Sequence, residues 1–215
     1  MAGHPGISFS VDPDIRKAQT LPAAAFTDPA FLEAERSTVF ARNWLFVPQL
    51  SGEALWSDSR SLTDLVKRRG AQAPVSVLDK PLYLQRDWKG NLHCFPNVCT
   101  HAWHTLVSGP GRERIVACPQ HGRQFDAEGR CVAQPGCPRD WDGFPSKEDH
   151  LKALPVAEWG PFFFAALGKP ALAFEKAFAP VFESLENFPL DELKRAPKPA
   201  EVREVAGNWK QHAWN

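Results

Sequence analysis

Four residues stand at spacings that suit metal chemistry. Cys99-Thr-His101 is followed, after sixteen residues, by Cys118-Pro-Gln-His121, a C-x-H…C-x-x-H pattern. Thiolate and neutral imidazole both bind soft and borderline metals. A tetrahedral zinc finger usually pairs Cys with Cys and His with His along the chain. Here each segment supplies one Cys and one His. That suits two metal centres side by side, one iron taking both thiolates and the other both imidazoles. In C-x-H the donors are at i and i+2, and an extended loop projects both to the same side. A structural zinc site, or unrelated Cys and His in a core, is the plainer alternative. Cys99, His101, Cys118 and His121 are the candidate cofactor- and metal-binding residues, and no catalytic residue is assigned.

The surrounding residues must hold two loops facing each other. Gly109, Pro110 and Gly111 allow a tight return between them. Pro119 and Gly122 bracket His121 and would stiffen and turn the second loop. Backbone N–H groups in such loops can donate to bridging sulfides, as they do in anion nests.

The rest of the chain predicts short strands around these loops. Asp28-Pro29 is a helix start, with apolar residues at helical spacing to about residue 42. A second short helix fits 61–69. Strands fit 75–78, 82–86 and 92–95, and residues 125–130 read as a hairpin. Residues 134–145 form a Pro/Gly loop. Two more strands fit 154–157 and 161–167. A helix at 175–185, interrupted by Pro180, precedes a 196–199 linker. Residues 1–25 read as an extended arm.

At 215 residues the chain can hold one large domain or two small ones. Hydrophobic residues at 43% and charged residues at 23% exclude wholesale disorder. With 25 Lys+Arg against 25 Asp+Glu, a generally basic surface for nucleic acid is excluded. The longest apolar run, 161–168, is far short of the roughly 20 residues of a spanning helix. No signal peptide is visible. Five Cys with no export signal argue for cytoplasmic thiols rather than a disulfide framework.

Two His replacing two Cys on one iron is the ligation of a Rieske [2Fe–2S] centre. Segment 99–129, CTHAWHTLVSGPGRERIVACPQHGRQFDAEG, resembles the Rieske part of ring-hydroxylating oxygenase large (alpha) subunits. FTDPAFLEAERSTVFARNWLFV resembles that family's leading helix and first strand. NLHCFPNVCTH resembles the strand into the first ligand loop, and LPVAEWGPFFF the return strands. GNWK at 207–210 resembles the opening of its catalytic domain.

The resemblance implies a mainly β fold, a sandwich-like antiparallel Rieske domain with an N-terminal helical arm and a short C-terminal α/β remnant. It implies an arm and leading helix at 1–43, the Rieske domain at 44–168, and a linker with a truncated catalytic-domain start at 169–215. It implies one [2Fe–2S] cluster held by Cys99, His101, Cys118 and His121. The chain would transfer single electrons as the Rieske portion of an aromatic-ring-hydroxylating-type oxygenase. The alternative is a stand-alone Rieske ferredoxin-like carrier. Implied partners are a reductase or ferredoxin donor, with no nucleic acid and no membrane. A homo-trimer follows from the resemblance alone.

Departures from the family lie around the ligands. Ala102-Trp103 stands where the family has Arg-Gly, Gln120 replaces an aromatic, and Arg123 replaces Trp. Trp103 is expected to shield the cluster from the other loop. Respiratory-chain Rieske proteins add a disulfide and hydroxyl hydrogen bonds that these loops lack. That predicts a midpoint potential toward the low end of the Rieske range, about −150 mV. His104 is expected to be an ordinary loop residue, Cys94 a core residue, and Cys131 and Cys137 free thiols. In the family, electrons pass to a mononuclear iron held by two His and a carboxylate. No such triad is seen, so mononuclear Fe(II) is not expected in this chain, and enzymatic activity stays open.

Overall fold

In a computed structural model of the chain, residues 10–48, 61–138, 141–193 and 205–213 are described. Part of the expected arm (1–9) and the 196–199 linker lie outside them. Residues 1–42 and 200–215 form one compact unit, and 43–199 form another.

In the first unit, α1 (Ala24–Thr27) interrupts the expected extended arm. Helix α2 (Pro29–Thr38) begins where the sequence predicts. The Asp28 carboxylate accepts the Ala30 N–H at 2.8 Å, capping an otherwise unpaired donor. The helix gives way to a single 3-10 turn, Phe40–Arg42. A short helix, Trp209–Ala213, returns the chain to this unit. There the Lys210 ammonium, only 5% exposed, donates to both Glu35 oxygens at 2.8 and 2.7 Å. Phe31, Trp209 and Phe26 place their rings 5.2, 5.3 and 5.7 Å from it. The ring faces and the carboxylate together replace the water this cation loses.

The second unit is built from antiparallel β-sheets. Strand β1 (Leu45–Phe46) precedes helix α3 (Leu62–Val66), where Ser61 and Asp64 form a reciprocal cap. Strands β2 (Ala71–Val77), β3 (Lys80–Arg86) and β4 (Leu92–Pro96) form a meander, and β5 (Gly111–Arg112) pairs with the start of β2. Strands β6 (Ile115–Ala117), β7 (Gln124–Asp126) and β8 (Cys131–Ala133) form a second sheet. Strand β1 pairs with β10 (Phe162–Ala165), which pairs with β9 (Val156–Trp159).

The central sheet is buried on both faces. Leu82, Leu84 and Cys94 point into one core with Val66, Val75 and Phe163. The intervening Tyr83 and Phe95 point into a second core that contains Cys99 and Cys118. This is the period-two alternation of a pleated strand, with both phases apolar. The second core is therefore the wall on which the ligand loops rest.

Two expectations are corrected. Strand β2 starts four residues before the predicted 75, because Ala71-Gln72-Ala73-Pro74 carries no β-branched signal. Pro74 is tolerated because β5 pairs β2 at residues 71 and 72, leaving β3 as its described neighbour at 74. Helix α4 (Phe174–Ser184) runs through Pro180 rather than breaking there. Phe174, Phe178 and Phe182 lie on one helical face. Phe174 and Phe178 sit 5.0 and 4.7 Å from Phe164, and Phe182 sits 4.9 Å from Trp159. That aromatic packing offsets the lost backbone bond. Among the described residues, no helix is long and apolar enough to cross a membrane.

Candidate metal centre

The first ligand loop leaves β4 and is pinned by a residue the sequence reading passed over. Asn97 is 4% exposed; its amide donates to the Val107 carbonyl at 2.7 Å and accepts from the Leu106 and Val107 N–H groups at 3.2 and 2.8 Å. Both ends of the loop are thus joined through one side chain. A polar residue two positions before the first Cys is the signal that marks it.

The two loops share one backbone pattern. The Cys99 N–H donates to the His104 carbonyl and the Cys118 N–H to the Arg123 carbonyl, each at 2.8 Å. In each case the acceptor is five residues on. The Trp103 N–H returns to the Cys99 carbonyl at 3.0 Å, and the Gly122 N–H to the Cys118 carbonyl at 2.8 Å. Both returning residues are left-handed, with φ of +54° at Trp103 and +72° at Gly122. Glycine takes that conformation freely; a side chain does not. A Cβ at Gly122 would also meet Pro135 at 2.9 Å.

This geometry brings all four predicted ligands to one place. Cys99 and Cys118 are 1% and 3% exposed and close enough for their thiols to hydrogen-bond. Burial pushes the Cys99 thiol up, and the N–H groups of His101 and Ala102, aimed at its sulfur, oppose this. His101 and His121 are exposed, with ring centroids 5.0 Å apart and planes at 70°. The thiols face inward and the imidazoles outward.

The donors come as two pairs. Among the described residues, no three His, Cys, Asp or Glu side chains converge on a point that could hold a single metal ion. A [2Fe–2S] cluster asks for pairs, since bridging sulfides complete each iron. Two buried soft donors, two rim imidazoles and amides turned toward sulfur fit that group.

The secondary candidates fall out as follows. His104 is exposed, and its Nδ1 lies 2.8 Å from the Thr105 carbonyl. Cys94 is fully buried in the other core, and burial pushes its thiol up to about 12. Cys131 and Cys137 are free thiols. Arg112 and Arg114 are exposed and lie over the Trp88 ring at 5.3 and 4.3 Å. Trp103 is 82% exposed, and among the described residues no protein group packs over its ring. Arg123 is buried, which its charge did not suggest.

Residues 56–156 match the profile of the Rieske [2Fe-2S] domain. Choline monooxygenase from Beta vulgaris is 31% identical over 160 residues, covering 74% of this chain and 33% of that protein. The carnitine monooxygenase oxygenase subunit of Acinetobacter pittii is 26% identical over 205 residues, covering 94% and 50%. A quaternary ammonium Rieske monooxygenase solved with L-carnitine superposes with a TM-score of 0.74 at 24% identity, covering 90% of this chain and 51% of that one. Naphthalene 1,2-dioxygenase gives a TM-score of 0.60, covering 74% and 34%. The chain thus spans a third to a half of the length of these relatives. With the domain match and the antiparallel β fold in agreement, this chain belongs to the Rieske [2Fe–2S] family, on the branch of the oxygenase large subunits.

Proposed function

We propose that Cys99 and Cys118 bind one iron of the cluster and His101 and His121 the other, and that the chain passes single electrons from a reductase or ferredoxin toward an oxygen-activating iron. The observation that carries this reading is the matched pair of loops, which sets two buried thiols beside two exposed imidazoles. A bound cluster supplies a one-electron couple. The protein does the rest. Asn97 and the Cys99 and Cys118 backbone bonds fix the loops, the second core excludes water from the thiols, and the outward imidazoles form the exit edge for the electron.

In this reading residues 1–43 are the arm and leading helix, 44–168 the Rieske domain, and 169–215 a linker and the start of a catalytic domain. The mononuclear iron is not held by these residues. A cytoplasmic location and trimeric assembly belong to the same proposal. The names of the relatives bring choline- and carnitine-like quaternary ammonium compounds to this chain as the first substrates to try.

The test is oxygen uptake by residues 1–215 with a reductase and choline or carnitine. The expected result is reduction of the cluster without coupled hydroxylation. Stoichiometric hydroxylation by this chain alone would place an oxygen-activating iron within it. The stand-alone carrier is distinguished by whether the reduced chain passes its electron to a separate acceptor protein.

A further inference from the structure

Arg123 occupies the position where the resembling family has Trp. It is 6% exposed, and every polar contact it makes ties the ligand loops to something else. Its Nε donates to Gln134 Oε1 at 2.7 Å, and its Nη1 donates to Thr100 Oγ1 at 3.0 Å and Asp149 Oδ1 at 2.9 Å. Thr100 lies between Cys99 and His101, and its hydroxyl donates to the Asp149 carbonyl at 2.8 Å. The Arg123 carbonyl accepts the Cys118 N–H. The Phe144 ring lies 5.7 Å from the guanidinium carbon. One buried cation thus touches the first loop, closes the second, and anchors both to the turn at 146–149.

We propose that Arg123 is a positioning residue for the cluster, clamping both ligand loops and holding a positive charge behind them that favours the reduced state. The proposal rests on the assignment of Cys99, His101, Cys118 and His121 as ligands. Reduction adds one electron and therefore one negative charge to the cluster. A cation buried against the ligand loops and poorly screened lowers the cost of that charge. Its partner anion opposes it. Burial alone would raise the Asp149 pKa, but the Ser146 N–H and hydroxyl and the Arg123 guanidinium hold it below its usual value, so Asp149 stays ionised. The cation is the charge that bonds to the loops: its guanidinium meets Thr100 of the first and its backbone belongs to the second, whereas the Asp149 carboxylate meets Arg123 and Ser146.

The pair therefore makes opposite predictions for its two members. Arg123→Met should retain the cluster and make reduction about tenfold less favourable, a fall in midpoint of about 59 mV for one electron. Arg123→Lys keeps the charge and should recover most of that fall. Asp149→Asn removes the opposing charge and should raise the midpoint. Potentiometric titration of the loaded proteins reads all three, with iron and sulfide per chain as the control. An unchanged midpoint in a fully loaded Arg123→Met protein overturns the proposal. If Arg123→Met does not load, an unchanged or lowered midpoint in Asp149→Asn overturns it. Loss of the cluster from both variants would reduce the network to a structural clamp, and the proposal falls. A wild-type chain without two irons and two sulfides would refute the ligand assignment instead, before any variant is compared.

Discussion

The rings of His101 and His121 come from separate loops yet sit 5.0 Å apart, edge to face at 70°. Behind them, Cys99 and Cys118 are buried and within hydrogen-bond reach of each other. The spacing differs, His following Cys by two residues in one loop and three in the other. The backbone bonds nonetheless match, closing five residues after each Cys.

That match isolates Trp103. It holds the left-handed position that Gly122 holds in the second loop, yet it is 82% exposed. A non-glycine residue there costs about 1 kcal/mol. Trp103→Gly should therefore stabilise the domain by roughly that amount while keeping the cluster. Denaturant unfolding of both proteins checks it, and a less stable variant would show that the indole contributes packing.

Gly129 closes the β7–β8 hairpin at a φ of +82°, and an added Cβ would collide with the fully buried Phe95 ring. Phe95 lines the core that contains Cys99 and Cys118. Gly129→Ala should cost about 3 kcal/mol through strain and overpacking. A melting temperature within 2 °C of wild type, a shift of about 1 kcal/mol or less, would contradict that.

Asp87 organises the β3–β4 hairpin. One oxygen accepts the N–H groups of Lys89, Gly90 and Asn91 at 2.8, 2.7 and 2.8 Å; the other meets Asn91 Nδ2 at 2.9 Å and His93 Nε2 at 3.0 Å. Burial would raise its pKa, but the bonds from His93, Asn91 and Gly90 outweigh burial and hold it well below the usual carboxylate value. A carboxylate with a depressed folded pKa adds stability that is present above its unfolded pKa, about 3.9, and is lost as pH falls toward the folded value. Asp87→Asn should cost about 2 kcal/mol at pH 7, and the gap to wild type should narrow below about pH 4. Unfolding curves at pH 7, 4 and 3 test the sign; a gap that widens on acidification contradicts it.

In the first unit, Lys210→Met would leave Glu35 without its cation among Phe26, Phe31 and Trp209. Breaking such a pair costs about 3 kcal/mol, whereas removing both charges costs less. Hydrogen exchange on α2 should accelerate in Lys210→Met and slow again in Lys210→Met/Glu35→Gln. No recovery in the double variant would mean that the stem of Lys210, not its charge, holds the helix.

The candidate ligand set could be picked out because metal binding constrains residue type and spacing within a few positions, and the fold brings those four residues together. Helix α2 was readable for a similar reason, its start being set by adjacent Asp28 and Pro29. Arg123 was not, because its role depends on Asp149 and Gln134, which only the fold brings near. Asn97 needed its contacts nine and ten residues on. Helix α4 defied its own Pro180 because Phe164 and Trp159, on distant strands, reward continuity.

The central claim is tested most directly by iron and acid-labile sulfide analysis of the purified chain, alongside Cys99→Ser and Cys118→Ser. The account predicts two irons and two sulfides per chain, a chromophore bleached by one electron, and loss of both in either variant. One zinc per chain with no sulfide, or an intact cluster in either serine variant, would contradict it.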